Sequence, residues 1–399
     1  LPSMTDDIAN SIVFWVDPKA TPRSSGADAT YYAGLTPTYA PKNGPLDSIE
    51  ELLLVKGVTP LLLYGYDKNR NGVIDPDETQ TGGDPNNVGW APYLTIYSRE
   101  LNVDSTGNKR IYVNDTNLQT LQTSLAAVDA DLATFIILCR LHAPTAIPAT
   151  GLPKNISLSP ANSVNTGDLN LGTAKAANTI ASLYDLIDVY VTIPPPDPKA
   201  KDAKSTYVAS PLMTTSIRST RSYSSGAGGS QLADLLPKLL DKMTVKKDQQ
   251  LYGRINLNTA SQTVLTALAN AGTITQTTGT GTNQKVTSTS LLSEADVTTI
   301  LNTRPPLIST TPPEEVYQSP AWLITQAKLK VSTVKALEKY ITTRSQVYRF
   351  QVIGYLDGGG PITRLDVAID TNNGNPRVVH YRDLSELGKG FDIPQNNGQ

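Results

Sequence analysis

Two histidines, one cysteine, four phenylalanines and three methionines among 399 residues leave little of the chemistry on which most active sites are built. Cys139 stands alone, so no internal disulfide can form, and its place in the run ATFIILCRL makes it a small buried hydrophobe rather than a nucleophile. His142 and His380 lie in different segments, and neither has a cysteine or carboxylate at zinc-ligand spacing. No nucleophile, base and orienting group can be assembled from what remains. Charge of one sign is lacking too: 34 Lys and Arg face 36 Asp and Glu, a net of -2, so no electrostatic argument favours nucleic acid or an anionic membrane. No run approaches the roughly 18 consecutive apolar residues of a membrane span. No signal-peptide pattern and no initial methionine precede LPSMTDDIANSIVFWVD, which reads as the end of a helix whose beginning lies outside the sequence, with Ile8, Ile12 and Trp15 on one stripe. What is abundant is Thr, Ser, Asn, Gly and Pro, a loop-rich and extracytoplasmic composition.

Against that background YGYDKNRNGVIDPDETQ, residues 64–80, stands out. Counting from Asp67, oxygen-bearing groups fall at Asp67, Asn69, Asn71, the Val73 carbonyl, Asp75 and Glu78, with Gly72 between. This is the 1, 3, 5, 7, 9, 12 spacing of a twelve-residue calcium loop with glycine at position 6. A hard cation wants six to eight oxygens, so a short loop must curl tightly and turn alternate groups inward, and glycine takes the positive φ this needs. Ile74 is expected to point out of the loop toward a core. A solvated Asx-rich turn is the competing reading. The glycines and proline of TQTGGDPNN break any exiting helix, so the expectation is a lone structural site and not a paired sensor.

A helix is expected over PLDSIEELLLVKG, with Asp47 or Ser48 as cap, Glu50 and Glu51 in the first turn and Gly57 at the end. Residues 109–140 can be laid over 253–272 continued by 291–306: a short strand, a helix, a hairpin and a second helix closing on Arg140 or Arg304. Asn114 and Asn258 are placed to cap the helices that follow. The Thr/Gly-rich insertion 273–290 in the second copy reads as a loop or small hairpin. Strand-like runs at 186–193 and 206–213 flank a Pro/Lys-rich turn, a flexible stretch STRSYSSGAGGS precedes a helix QLADLLPKLLDKM, and three antiparallel strands close the chain. Tyr348, Phe350 and Val352 share one face of the first of these, and a helix laid on it would make a core.

Several apparent motifs carry no chemistry. GAGGS at 226–230 lacks the Gly-Lys-Ser/Thr ending of a phosphate loop and reads as a linker, and GGG at 358–360 reads as a turn. The pairs Glu50-Glu51 and Glu314-Glu315 sit at helix starts, where the dipole accounts for them. INLNTA followed by LTALANAG and ADVTTILNTR resembles a helix-hairpin-helix unit of the kind that holds nucleic-acid phosphates. The Gly-x-Gly hairpin and the basic surround are missing, so nucleic acid is not expected, and a helix-hairpin-helix nucleic-acid or polysaccharide binding module is kept as the alternative. A calcium-stabilised extracellular hydrolase has only the polar composition in its favour.

FWVDP with GADATYY, then NGPLDSIEELLLVKGVTP, then INLNTA with ILNTRPP, and the closing SQVYRFQVIGY together make the chain resemble the K-type minor pseudopilin of the type II (general) secretion pathway over nearly its whole length. The resemblance implies a structural protein and no enzyme. The fold it implies is α+β: a pilin-like antiparallel sheet packed on a truncated N-terminal helix, with a large inserted, mainly helical domain containing two helix-hairpin-helix-like modules. The expected divisions are 1–16 for the end of the pilin helix, 17–185 for the first inserted module with the calcium loop 67–78, 186–344 for strands and the second module, and 345–399 for the pilin-like strands. It further implies a subunit capping the pseudopilus tip in a heterotrimeric complex with two other minor pseudopilins, periplasmic and anchored in the inner membrane before assembly. Membrane contact would run only through a hydrophobic helix absent from this chain. Family members bind calcium, and Asp67, Asn69, Asn71, Val73, Asp75 and Glu78 fit that pattern, while the duplicated module makes the insertion larger than the resemblance leads one to expect.

Overall fold

Thr5 begins the first helix, its hydroxyl accepting the Ile8 amide at the start of Asp6–Val16. The computed structural model describes residues 1–391 apart from 79–83, 85, 149–150, 154–155, 196, 198, 200–202, 215–230, 279–284, 308–313, 357–359 and 373. The linker at 226–230 and most of the turn at 358–360 thus lie outside the described residues. The chain divides into two compact units, residues 1–98 with 346–399, and residues 99–345. The division differs from the one the sequence suggested: residues 17–98, with the acidic loop, group with the first helix and the C-terminal strands and not with the insertion.

In the first unit the helix stripe is as expected. Ile8 and Trp15 join Tyr32, Leu52, Val55, Leu63 and Trp90 in a buried cluster, with Ile12 packed against it. The Trp15 ring meets Tyr32 edge-on at 5.3 Å, and its Nε1–H donates to Glu51 Oε1 at 2.7 Å. Residues Ile49–Leu54 form a 3-10 helix, because Ile49, Leu52 and Val55, each three residues apart, are the buried positions. Glu50 and Glu51 lie in the first turn, as expected, and each also holds side-chain partners. Glu51 accepts from Trp15, Lys42 and the Asp47 amide, and Glu50 from Arg382 and Tyr64. Gly57 takes φ +83°, and a Cβ there would lie 2.8 Å from Ile8 Cγ1.

The C-terminal strands Val347–Gly354, Thr363–Asp370 and Arg377–Asp383 pair antiparallel in chain order, Phe350 opposite Val367 and Val367 opposite Tyr381. The α+β class holds. The expected core on the apolar face does not: Tyr348, Phe350 and Val352 are 52%, 42% and 46% exposed, while Arg364, Asp366 and Asp370 on the other face are buried. The helix stripe buries itself in the aromatic cluster instead, and no described strand residue belongs to that cluster. Charge pairing makes burial of the polar face possible, since Arg349 grips Asp366 through Nε at 3.0 Å and Nη2 at 2.6 Å.

The second unit repeats one plan. Strand Ile111–Tyr112, helix Leu118–Ala126 and the almost wholly buried helix Ala130–Leu141 are matched by Ile255–Asn256, Gln262–Ala269 and Glu294–Thr303. Each opening strand pairs in parallel with one that arrives later, Ile111 with Met243 and Ile255 with Ile341. The next amide repeats as well, Val113 donating to the Thr244 carbonyl and Leu257 to that of Thr342. The insertion in the second copy is a two-stranded ribbon, Thr273–Thr278 against Lys285–Ser290. Of the four-stranded sheet, Val189–Ile193 and Thr206–Ala209 were legible, and the edge strands Pro144–Ala146 and Leu158–Ser159 were not. Leucines 118, 121, 125, 236, 239, 265 and 268 share one core.

Asn114 and Asn258 do not cap helices. Asn117 and Ser261 do, accepting the Thr120 and Val264 amides. Asn114 lies too far upstream. It is buried, and its side-chain amide exchanges two 2.8 Å hydrogen bonds with the backbone of Ile180. Asn258 repeats the clamp, donating to the carbonyls of Tyr317 and Thr343.

Asn114→Ala is therefore expected to destabilise by about 1–3 kcal/mol, through the unsatisfied Ile180 backbone, and Asn117→Ala by about 1 kcal/mol as a lost cap. Urea denaturation of both variants reads the order, and the reverse order would restore Asn114 as the cap. Burial alone would raise the Asp104 carboxyl, but Lys242, the Thr106 hydroxyl and the amides of Asn108 and Thr106 pull it down to about 2. Its contribution is present above the ordinary Asp range and is lost as pH falls toward 2. Asp104→Asn should flatten the stability curve in that window when denaturation is followed against pH.

Candidate metal centre

Thr59 and Pro60 start the short helix Pro60–Tyr64, the Thr59 hydroxyl accepting from Leu62, and Gly65 ends it at φ +62°. No side chain fits at Gly65, where a Cβ would come within 2.0 Å of the Asn87 carbonyl. Tyr66 donates to that carbonyl, and Trp90 to those of Leu62 and Leu63, so both ends of the acidic stretch are tied to one helix.

Between these ties the loop curls as its spacing demands. Asp67 Oδ1 and Oδ2 accept the amides of Asn71 and Gly72 at 3.0 and 2.8 Å. Glu78 reaches back, Oε1 to the Asn69 amide at 2.9 Å and Oε2 to that of Asp75 at 3.2 Å. The side-chain Nδ2 groups of Asn69 and Asn71 both donate to Asp75 Oδ2, at 2.6 and 2.9 Å. Gly72 stands at φ +85° with nothing near its missing Cβ, so conformation and not space demands glycine there. Arg70 also takes a positive φ, of 59°, which the motif does not announce. The Val73 side chain is exposed, and Ile74 is half-buried, outside the core to which it was assigned.

The first and last members, Asp67 and Glu78, are 5% and 3% exposed. Among the described residues no Lys, Arg or His nitrogen lies within 4.0 Å of either carboxylate. Burial pushes the Asp67 carboxyl up, the Gly72 and Asn71 amides oppose the rise, and the Glu78 charge adds to it. Two buried carboxylates with no ion pair within 4.0 Å among the described residues, beside the side-chain oxygens of Asn69 and Asn71 and the Val73 carbonyl, are donors of the kind a hard divalent ion takes. Among the described residues no three His, Cys, Asp or Glu side chains cluster as a metal-holding group, so any ion here depends on the amides and the carbonyl as well.

Sequence reasoning missed what holds the loop. Arg364, fully buried in the middle C-terminal strand, donates from Nη1 to the Asn69 carbonyl at 2.7 Å and from Nε and Nη2 to Gln351 Oε1. Gln351 Nε2 donates in turn to the Arg70 carbonyl at 2.9 Å, and Asn71 Nδ2 to the Gly390 carbonyl. A cleft of about 240 Å³ opens beside the loop, lined by Asp67, Asn71, Glu50, Arg349 and Arg382 among others. The contacts run over almost three hundred positions of sequence, where no local signal exists. Cys139 is buried in the core of the second unit, its thiol pushed up by burial. His380 lies 3.5 Å from Asp366, and His142 is pushed down by burial.

Residues 2–66 match the family model described as Type II secretion system (T2SS), protein K. The match ends one residue before Asp67, so the acidic loop and everything after it stand outside it. No curated protein and no solved structure matches the chain. No helix among the described residues is long and apolar enough to cross a membrane. The match falls in the stretch that carries FWVDP, GADATYY and SIEELLLVKGVTP, and over those residues the chain is similar to protein K of the type II secretion system.

Proposed function

We propose that the protein is a tip subunit of the type II secretion pseudopilus, assembled with two other minor pseudopilins in the periplasm and anchored in the inner membrane before assembly. The observation that carries this reading is the family match over residues 2–66, in a chain that departs at residue 99 into a second compact unit and returns at 346. The inserted unit holds well over half of the chain. In this reading it supplies bulk, and growth of the fibre ends by exclusion of a further layer and not by chemistry. Co-expression with the other minor pseudopilins is expected to yield a stable 1:1:1 complex by size-exclusion chromatography with light scattering. A chain that stays monomeric in their presence removes the tip assignment.

Calcium stabilisation is part of the same proposal. Asp67, Asn69, Asn71, the Val73 carbonyl, Asp75 and Glu78 would hold the ion, which would add counter-charge beside the buried Asp67 and Glu78. Because Arg364 and Gln351 hold the same loop to the C-terminal strands, its rigidity is shared with the sheet. At a hundredfold excess over Kd the ion contributes about 2.7 kcal/mol. Calcium should raise the melting temperature of the intact chain and chelator should reverse the rise. The double variant Asp67→Ala, Glu78→Ala should melt lower in calcium and show no calcium-dependent shift. An undiminished shift in that variant excludes this loop as the site.

A further inference from the structure

The two repeats of the second unit enclose a cleft of about 900 Å³ between their paired strands, and its walls are charged. Six basic side chains line it against three acidic ones, in a chain whose net charge is -2. Four of the six come from equivalent places in the repeats: Arg110 and Arg254 each precede the opening strand, and Lys246 and Arg344 each follow the closing strand by two residues.

Comparison of the two copies shows where the charge fails to balance. In the second, Arg254 Nη1 lies 3.4 Å from Glu100 Oε1, and Glu100 Oε2 accepts the Thr342 hydroxyl at 2.8 Å. In the first, the place of that carboxylate is taken by the neutral Asn102. Its Nδ2 donates to the Thr244 hydroxyl and to the carbonyls of Lys246 and Asp248, contacts that an aspartate could not make. Arg110 is left with the Asn102 oxygen at 3.5 Å and the Asp241 backbone carbonyl at 2.9 Å. Among the described residues no carboxylate oxygen lies within 4.0 Å of its guanidinium, and Asp241 is engaged by Arg344 and Lys242. Burial first, and then the like charge of Arg344, hold Arg110 down to about 10, against the opposing pull of the Glu100 and Asp241 charges. Glu338, a half-buried acid that also lines the cleft, is raised by burial.

We propose that this cleft binds a small organic oxyanion, of carboxylate or phosphate type, with the Arg110 guanidinium as its principal partner and Lys246 at the rim. A planar guanidinium with a carboxylate missing from its side is suited to bidentate capture of either group. The site lies within the second unit and owes nothing to the acidic loop or to the pseudopilus assignment.

The intact chain, in chelator-treated buffer at constant ionic strength, is titrated by calorimetry with inorganic phosphate and separately with succinate, chloride serving as control. At least one probe should bind saturably in the millimolar range or tighter, and which one does so assigns the headgroup. Arg110→Gln should weaken that binding at least tenfold, while Arg110→Lys, which keeps the charge, should keep it within a few-fold. Lys246→Gln, an exposed change that leaves the fold intact, should weaken it about threefold and make it less sensitive to salt. Absence of saturable binding by both probes overturns the proposal. So does affinity unchanged in both Arg110→Gln and Lys246→Gln, with circular dichroism used to confirm that each variant is folded.

Discussion

A single buried guanidinium holds the first unit together. Arg364 is wholly withdrawn from water, and a charge so placed must find acceptors or else destabilise the fold. It finds them in Gln351 on the neighbouring strand and in the carbonyl of Asn69, 295 residues away in the chain. The C-terminal strands therefore present their polar face to the loop, and their apolar face is left outward. The same geometry explains why residues 17–98 belong with the strands. The aromatic cluster of Trp15, Tyr32 and Trp90 gives the segment its core, and Arg364, Gln351 and the Glu50–Arg382 pair tie it to the sheet.

The second unit is organised by a different constraint, duplication. Each copy closes a two-residue parallel bridge, too short to persist alone, and secures it with a buried asparagine aimed at a carbonyl from a later segment. The copies keep the arginine before the opening strand and the asparagine after it, and differ in what answers that arginine. Glu100 answers Arg254 where Asn102 answers Arg110, while the leucines of both helix pairs remain in one continuous core.

What could be read from the sequence was what depends on near neighbours. The acidic loop was legible because its donors alternate within twelve residues, and the first helix because Ile8, Ile12 and Trp15 fall on one stripe. The duplication was visible through Arg-Ile followed by asparagine before each helix. Asn114 and Asn258 were misread because a cap is local, whereas the partners they chose, Ile180 and Tyr317, lie 66 and 59 residues on. The C-terminal strands were misread for a related reason. Alternation separates two faces but does not say which is buried, and here paired charges made the polar one acceptable to the interior.

The order of these closures fixes an order of events. The paired strands Ile111–Tyr112 with Met243–Thr244 and Ile255–Asn256 with Ile341–Thr342 close within residues 99–345, whereas the first 98 residues group with strands encoded after 346. On a ribosome the middle of the chain can thus mature while its beginning is still unfinished. Any factor that shields the helix Asp6–Val16 has to keep hold of it until the strands after residue 346 have been made.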